Sequence, residues 1–463
     1  MYATKTTYQN SFKNGIPKKF EKPGGCRPVQ VIALYRHGTR FPSLKNMKTV
    51  DRLLTEFVED YPNNVTVRSM KEVFDREFHF SEDNELSRGG ARELIDIGKR
   101  VATNFNQLFK NCKAGELLFK SSSTERAFDS CSYFQEGFSK VIPFEGSTTI
   151  TDDFLLRFFD KCSNYITSIK KDKLALKECE DFQKNSYQEI NRLMEKKLNF
   201  KVDLKRKEQL VMFSIAGCAY AFVGDTVWST IFPEEARSML EYSIDLKKYY
   251  DSGYGHEISS LQSCHLFSTF FRHIDSFIEN RLKLKGVFYF AHAETLLPVM
   301  CLMGLFKDDE PLRHDNYERM RTRLFRTSFI CSFAANIMIV LYDCNKIYKV
   351  QVLHNEKAIR LPPPLQPDDK LLYSYSDFKN HYKDVLNRKF NDVCRLEESK
   401  SSSSSFSEEM SFSTISGTPS KSQSFSRVSK ETTGGSEQSS QSQHDSSSSR
   451  SVSLDETISN FSR

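Results

Sequence analysis

The chain has 463 residues, 38% of them hydrophobic and 27% charged, which allows two or three domains, or one domain with a large insertion, and a real buried core. No uninterrupted apolar run approaches the roughly 18–20 residues of a membrane span, and the eleven cysteines include no CxxC pair, which argues against a zinc ribbon or a thioredoxin-type site. The net charge of +6 is uneven: six Lys/Arg against nine Asp/Glu from Leu396 onward leave the tail at −3 and the preceding body at +9, a balance that suits a polyanionic partner without naming one.

In chain order, residues 1–25 read as an extended N-terminal arm that ends at the turn cluster Lys22-Pro23-Gly24-Gly25. Val29 to Leu34 is a near-continuous apolar run, as a strand buried on both faces requires. Ala91, Leu94, Ile95, Gly98, Val101, Phe105 and Leu108 repeat at helical spacing. A strand follows at Leu117 to Phe119, and a second helix is predicted from Ala127, Cys131, Phe134 and Phe138. This alternation predicts an α/β domain with a parallel or mixed sheet, residues 26–144 forming its first part. Residues 145–284 differ: Leu174 to Leu198 and Ala236 to Tyr250 carry helical spacing and many charges, so a mostly helical insertion, a cap over the substrate, is expected there. The α/β domain resumes over 285–395, with strands at Val287 to Ala291, Ile337 to Tyr342 and Val350 to Leu353 and a buried helix at Leu296 to Phe306. Residues 396–463 are Ser-rich without periodic apolar pattern and are expected to be disordered, because such a composition buries too little surface to offset its ordering entropy.

The chemistry sits at strand ends. Arg36-His37-Gly38-Thr39-Arg40-Phe41-Pro42 follows the first strand, at the sheet edge where α/β proteins bind ligands. Guanidinium forks match phosphate oxygens, a glycine admits close backbone approach, and the imidazole between the arginines is placed for in-line attack on phosphorus. Ser122-Ser123-Thr124-Glu125-Arg126 follows the second strand and offers a third arginine; His292 ends the strand at Val287 to Ala291. Three arginines and two histidines can stabilise a transferring phosphoryl group. No metal-ligand cluster accompanies these motifs, so no metal cofactor is implied.

RHGxRxP is the signature of the histidine phosphatase superfamily, and the chain resembles its acid phosphatase and phytase branch. His292-Ala293-Glu294-Thr295, in place of the His-Asp of most of that branch, is similar to the multiple inositol polyphosphate phosphatases. Lys5-Thr6-Thr7-Tyr8, Leu155 to Cys162, Asp245-Leu246, Tyr249-Tyr250, Gly253-Tyr254-Gly255 and Asn355-Glu356-Lys357 extend the resemblance over nearly the whole body, the Ser-rich tail excepted. It implies a mixed sheet flanked by helices with a mostly helical inserted domain. It also implies hydrolysis of inositol hexakisphosphate and pentakisphosphates through a phosphohistidine on His37, extending to bisphosphoglycerate. Arg36, Arg40, Arg126 and His292 would hold the phosphate, and Glu294 would protonate the leaving oxygen and then accept a proton from water.

A basic rim is expected for so dense a polyanion, with Lys45, Lys48 and Arg157 as its candidates; Lys45→Ala is then expected to weaken binding more than turnover. The partner is a small polyanionic substrate, with no nucleic-acid motif and no membrane span. The competing readings are a broad acid phosphatase or phytase and a non-catalytic inositol phosphate binder. The resemblance places the protein in the endoplasmic reticulum lumen or outside the cell, where Asn64-Val65-Thr66 would be a glycosylation site. Against this, Met1 to Phe20 lacks an apolar leader and Asn460 to Arg463 is no retrieval signal, so a missing upstream segment is expected.

Overall fold

The computed structural model describes residues 1–396, apart from 18, 21, 22, 114, 145–147 and 225. The expected disorder of the Ser-rich tail concerns residues that, from 397 on, lie outside those described.

Among the described residues eight strands form one mixed sheet: β1 (Arg27–Arg36), β2 (Leu117–Ser121), β3 (Ile150–Thr151), β4 (Gly286–Ala291), β5 (Asn336–Cys344), β6 (Ile347–His354), β7 (Lys357–Ala358) and β8 (Tyr373–Ser374). The order is β3-β2-β4-β1-β5-β6-β7, with β8 on β6. β1, β2 and β4 run parallel, whereas β5 and β6 are antiparallel to their neighbours. Both faces of the central strands are buried, as their apolar runs require. Val31, Ala33, Tyr35, Phe288 and Phe290 meet the helices Arg88–Asn104 and Glu125–Ser139 on one face. Ile32, Leu34, Val287 and Tyr289 meet the helices Cys264–Ile278 and Ala293–Leu302 on the other. β5 and β6 are joined by Asn345-Lys346, both at positive φ (56° and 70°), the turn whose twist matches a two-residue hairpin.

The helices Arg88–Asn104 and Glu125–Ser139 pack backbone to backbone. A Cβ on Gly137 would lie 1.9 Å from the Ile95 carbonyl oxygen, and one on Gly98 2.2 Å from that of Phe134. Since these helices carry Glu93 and Arg126, the glycines set the spacing between those two side chains. Gly137→Ala is expected to cost about 1–3 kcal/mol by overpacking, read as a lowered urea midpoint; an unchanged midpoint would contradict this close approach.

Two expectations need correction. The arm is not extended: Ala3–Lys5 and Gln9–Ser11 are 3-10 turns with Tyr2, Ala3 and Tyr8 buried. The Tyr8 hydroxyl donates to Glu356 at 2.8 Å, and Phe333 N–H donates to the Thr6 carbonyl at 2.9 Å, so the arm is tied down by contacts that no local pattern announces. Nor does the helical region coincide with residues 145–284. Helices Leu44–Asp60 and Val65–Glu77 share one hydrophobic core with parts of Lys177–Leu198, Arg206–Val223 and Glu234–Ser252, whereas β3 joins the sheet and Cys264–Ile278 packs on its face. Asn64 caps the helix Val65–Glu77, its side-chain oxygen accepting from Val67 N–H at 3.1 Å.

Disulfides join Cys26 to Cys344 and Cys162 to Cys394. The first ties the antiparallel neighbours β1 and β5, and the second ties the start of the inserted region to the last described helix, Phe390–Cys394. No helix among the described residues is long and apolar enough to cross a membrane.

Candidate active site

Three parallel strands deliver the site. β1 ends at Arg36, whose register partner is Ala291 of β4, and Ser121 of β2 stands opposite Phe290. His37, Ser122 and His292 therefore leave the sheet side by side. His37 N–H donates to the Ala291 carbonyl and Ser122 N–H to that of Phe290, each at 3.0 Å.

The loop after β1 is clamped from below. Glu93 accepts from Thr39 N–H at 2.9 Å, from the Thr39 hydroxyl at 3.0 Å and from Tyr8 N–H at 3.1 Å. Gly38 N–H donates to the Ser130 hydroxyl at 3.1 Å, which itself donates to the Arg126 carbonyl at 2.6 Å and so links the loop to the third arginine's helix. A Cβ on Gly38 would lie 2.7 Å from the Gly90 carbonyl oxygen, which accounts for glycine there.

His37 is buried, with Nδ1 2.9 Å from the Gly38 carbonyl oxygen. A carbonyl only accepts, so the proton sits on Nδ1 and Nε2 keeps its lone pair. Burial, then Arg36, Arg40 and Arg126, hold this imidazole well below its usual range, so it is neutral at physiological pH. His292, 5.7 Å away between ring centroids, is lowered to about 3 by burial and Arg126 and shares Nε2 with the Ser122 hydroxyl at 3.0 Å.

Around these rings lies a cavity of about 300 Å3, lined by Arg36, Arg40, Arg126, Arg157, Lys5 and Lys248, with Glu294 as the one carboxylate among its lining residues. Arg36 donates to the carbonyls of Thr4 at 2.7 Å and Cys331 at 2.8 Å, and its guanidinium lies 4.6 Å from the Phe333 ring centre. The Nε atoms of Arg36, Arg40 and Arg126 are buried with no hydrogen-bond partner among the described residues. Three arginines with such unsatisfied donors line one cavity, an arrangement suited to an anion. Burial lowers all three guanidinium pKa values, that of Arg40 to about 10, where it stays charged at neutral pH.

Glu294, in the first turn of the helix after β4, opens into the cavity with 39% of its side chain accessible. Burial pushes its carboxyl up, but Lys248 at 2.8 Å, together with His292, more than offsets this and holds it well below the usual range.

Six of the nine residues singled out from sequence, His37, Arg36, Arg40, Arg126, His292 and Glu294, meet in this cavity, and Arg157 lines it while paired to Asp160 at 2.8 Å. Lys45 and Lys48 do not: they are exposed on the helix Leu44–Asp60, whose Met47, Val50 and Leu54 face inward. Sequence reasoning missed Lys5 and Lys248. Lys5 lay within a segment noted only for its resemblance, and Lys248 beside one. Lys5 makes no ion pair among the described residues, and burial, then Arg40, lower it to about 7.

A mixed sheet with this cluster at the ends of its parallel strands defines a histidine phosphatase, and the profile of the histidine phosphatase superfamily (branch 2) matches residues 29–355. The chain is similar to multiple inositol polyphosphate phosphatase 1 from Homo sapiens, at 31% identity covering 87% of this chain and 90% of the relative, and from Gallus gallus, at 31% covering 81% and 86%. Its fold resembles that of the Bifidobacterium longum multiple inositol polyphosphate phosphatase solved with inositol hexasulfate: TM-score 0.68 at 15% identity, covering 82% of this chain and 97% of that one. The chain belongs to the multiple inositol polyphosphate phosphatase family and is a phosphatase.

Proposed function

We propose that this phosphatase hydrolyses inositol polyphosphates, inositol hexakisphosphate and pentakisphosphates among them, through a phosphohistidine on His37. The observation that carries the reading is the set of three buried, unpartnered arginine Nε–H donors beside a neutral imidazole whose Nε2 lone pair is free. In the first step Arg36, Arg40, Arg126 and His292 hold the phosphate while Nε2 forms the P–N bond. The inositol oxygen departs with a proton from Glu294. In the second step water attacks phosphorus, gives a proton to the Glu294 carboxylate, and the P–N bond breaks. The clustered cations favour the charge that builds on the phosphoryl oxygens.

Preference for a polyphosphorylated ring is supported by six cationic side chains around a single carboxylate, more than one phosphate needs. The test is kcat/KM for phosphate release from inositol hexakisphosphate beside p-nitrophenyl phosphate and bisphosphoglycerate. The account predicts the highest value for the hexakisphosphate. Equal values would make the chain a broad acid phosphatase, and tight binding without release would make it a binder.

Lys5 is the further cation for a second phosphate. Lys5→Met is expected to raise KM for the hexakisphosphate about tenfold with a smaller change in kcat, and Lys45→Ala to change KM less. Equal effects would restore the rim lysines to the role expected from sequence. The two disulfides support residence in an oxidising compartment, lumenal or extracellular.

A further inference from the structure

A general acid must carry its proton before the bond to the leaving group breaks, yet Glu294 is held as a carboxylate in an ion pair. We infer that Lys248 is a positioning residue that exchanges Glu294 for a substrate phosphate, keeping the acid ionised in the free site and releasing it to be protonated when an inositol polyphosphate enters. The inference rests on the reading of Glu294 as the proton donor.

Three observations support the exchange. Lys248 belongs to the helix Glu234–Ser252 of the inserted region, only 12% of its side chain is accessible, and it lines the cavity. Its Nζ is 2.8 Å from Glu294 Oε1 and 3.5 Å from both carboxylate oxygens of Asp251. Asp251 is buried and also paired to Lys247. Should Glu294 become neutral, Lys248 keeps a carboxylate partner, so no buried ammonium is stranded. Burial works against the Lys248 charge, but Asp251 and Glu294 more than compensate and raise its pKa.

The groups facing Glu294 come from every element around it. Lys248 and Asp251 stand on the helix Glu234–Ser252, Arg36 ends β1, Arg40 lies on the loop after it, and His292 follows β4. Arg126, Lys5, the Tyr165 phenol and the buried Cys331 thiol complete the set among the described residues. A phosphate dianion entering among them sets a second anion against the carboxylate. Lys248 turns to it, and Glu294 takes a proton from solvent. That proton passes to the inositol oxygen as its bond to phosphorus breaks, and a proton from water restores it in the second step.

The sign follows. Glu294 works protonated, so activity falls as pH rises through its pKa, and removing the nearest cation moves that alkaline limb upward. The experiment is the pH dependence of kcat and kcat/KM on inositol hexakisphosphate, whose own ionisations are common to all variants. In wild type the limb in kcat, which reports the bound enzyme, lies above the limb in kcat/KM, which reports the free one. Lys248→Met raises the kcat/KM limb by about one unit or more and closes the gap. Lys248→Arg keeps the wild-type limb. Asp251→Asn turns the ammonium wholly onto Glu294 and lowers the limb, so it carries the test should Lys248→Met fail to fold. Limbs that stay in place in Lys248→Met, or in Asp251→Asn, overturn the inference. Wild-type turnover in Glu294→Gln would instead overturn the assignment of the proton donor beneath it.

Discussion

His37→Ala is expected to lower turnover of inositol hexakisphosphate on the order of a hundred-thousand-fold and to leave the far-ultraviolet circular dichroism unchanged. The size follows from what the imidazole supplies. In the proposed mechanism its Nε2 lone pair is the nucleophile, since the three guanidinium groups around it are protonated and cannot attack. His292, although also neutral, has Nε2 engaged by Ser122. Without His37 the cavity is expected still to bind phosphate, because Arg36, Arg40 and Arg126 are untouched, so the loss should fall on kcat and the affinity for inorganic phosphate should stay within a few-fold. The fold survives because His37 contributes one side-chain hydrogen bond, to its neighbour Gly38, while the loop itself is held through Thr39 by Glu93. Residual turnover above about one percent of wild type would mean that water attacks phosphorus directly.

Glu294→Gln is expected to lower kcat on inositol hexakisphosphate about a thousandfold, within the range for loss of a general acid and base. The loss depends on the leaving group. An inositol alkoxide is a poor leaving group and needs the proton; p-nitrophenolate departs without it. With p-nitrophenyl phosphate the variant is therefore expected to release one nitrophenolate per chain in a burst and then stall, since the second step still requires a base for water. Rapid mixing with absorbance detection checks this. Equal slowing on both substrates with no burst would assign Glu294 to phosphate binding or to structure.

The central sheet was legible because its strands are buried on both faces and read as apolar runs: Val29 to Leu34 and Val287 to Ala291 fall within β1 and β4. The residues placed at their ends were legible for the same reason, since a parallel strand carries its last side chain to the ligand edge. Lys5 was not, because its position depends on long-range contacts, the Arg36 bond to the Thr4 carbonyl and the Phe333 bond to Thr6. Lys248 was not, because it is one of two adjacent lysines and the rotation of the helix alone decides that Lys247 faces water and Lys248 the cavity. Lys45 and Lys48 stand near the motif in sequence, but the helical spacing of Met47, Val50 and Leu54 turns them outward. Cysteine pairing required the topology: Cys26 meets Cys344 because β1 and β5 lie antiparallel.

The central claim is that phosphate leaves inositol polyphosphates by way of His37. It is tested most directly by rapid mixing of the chain with phosphorus-labelled inositol hexakisphosphate, quenching in alkali, and mapping of the label. The account predicts up to one alkali-stable, acid-labile phosphate per chain in wild type, located on His37 and missing from His37→Ala. Steady release of phosphate by the wild type with no label on the protein at any time would contradict it.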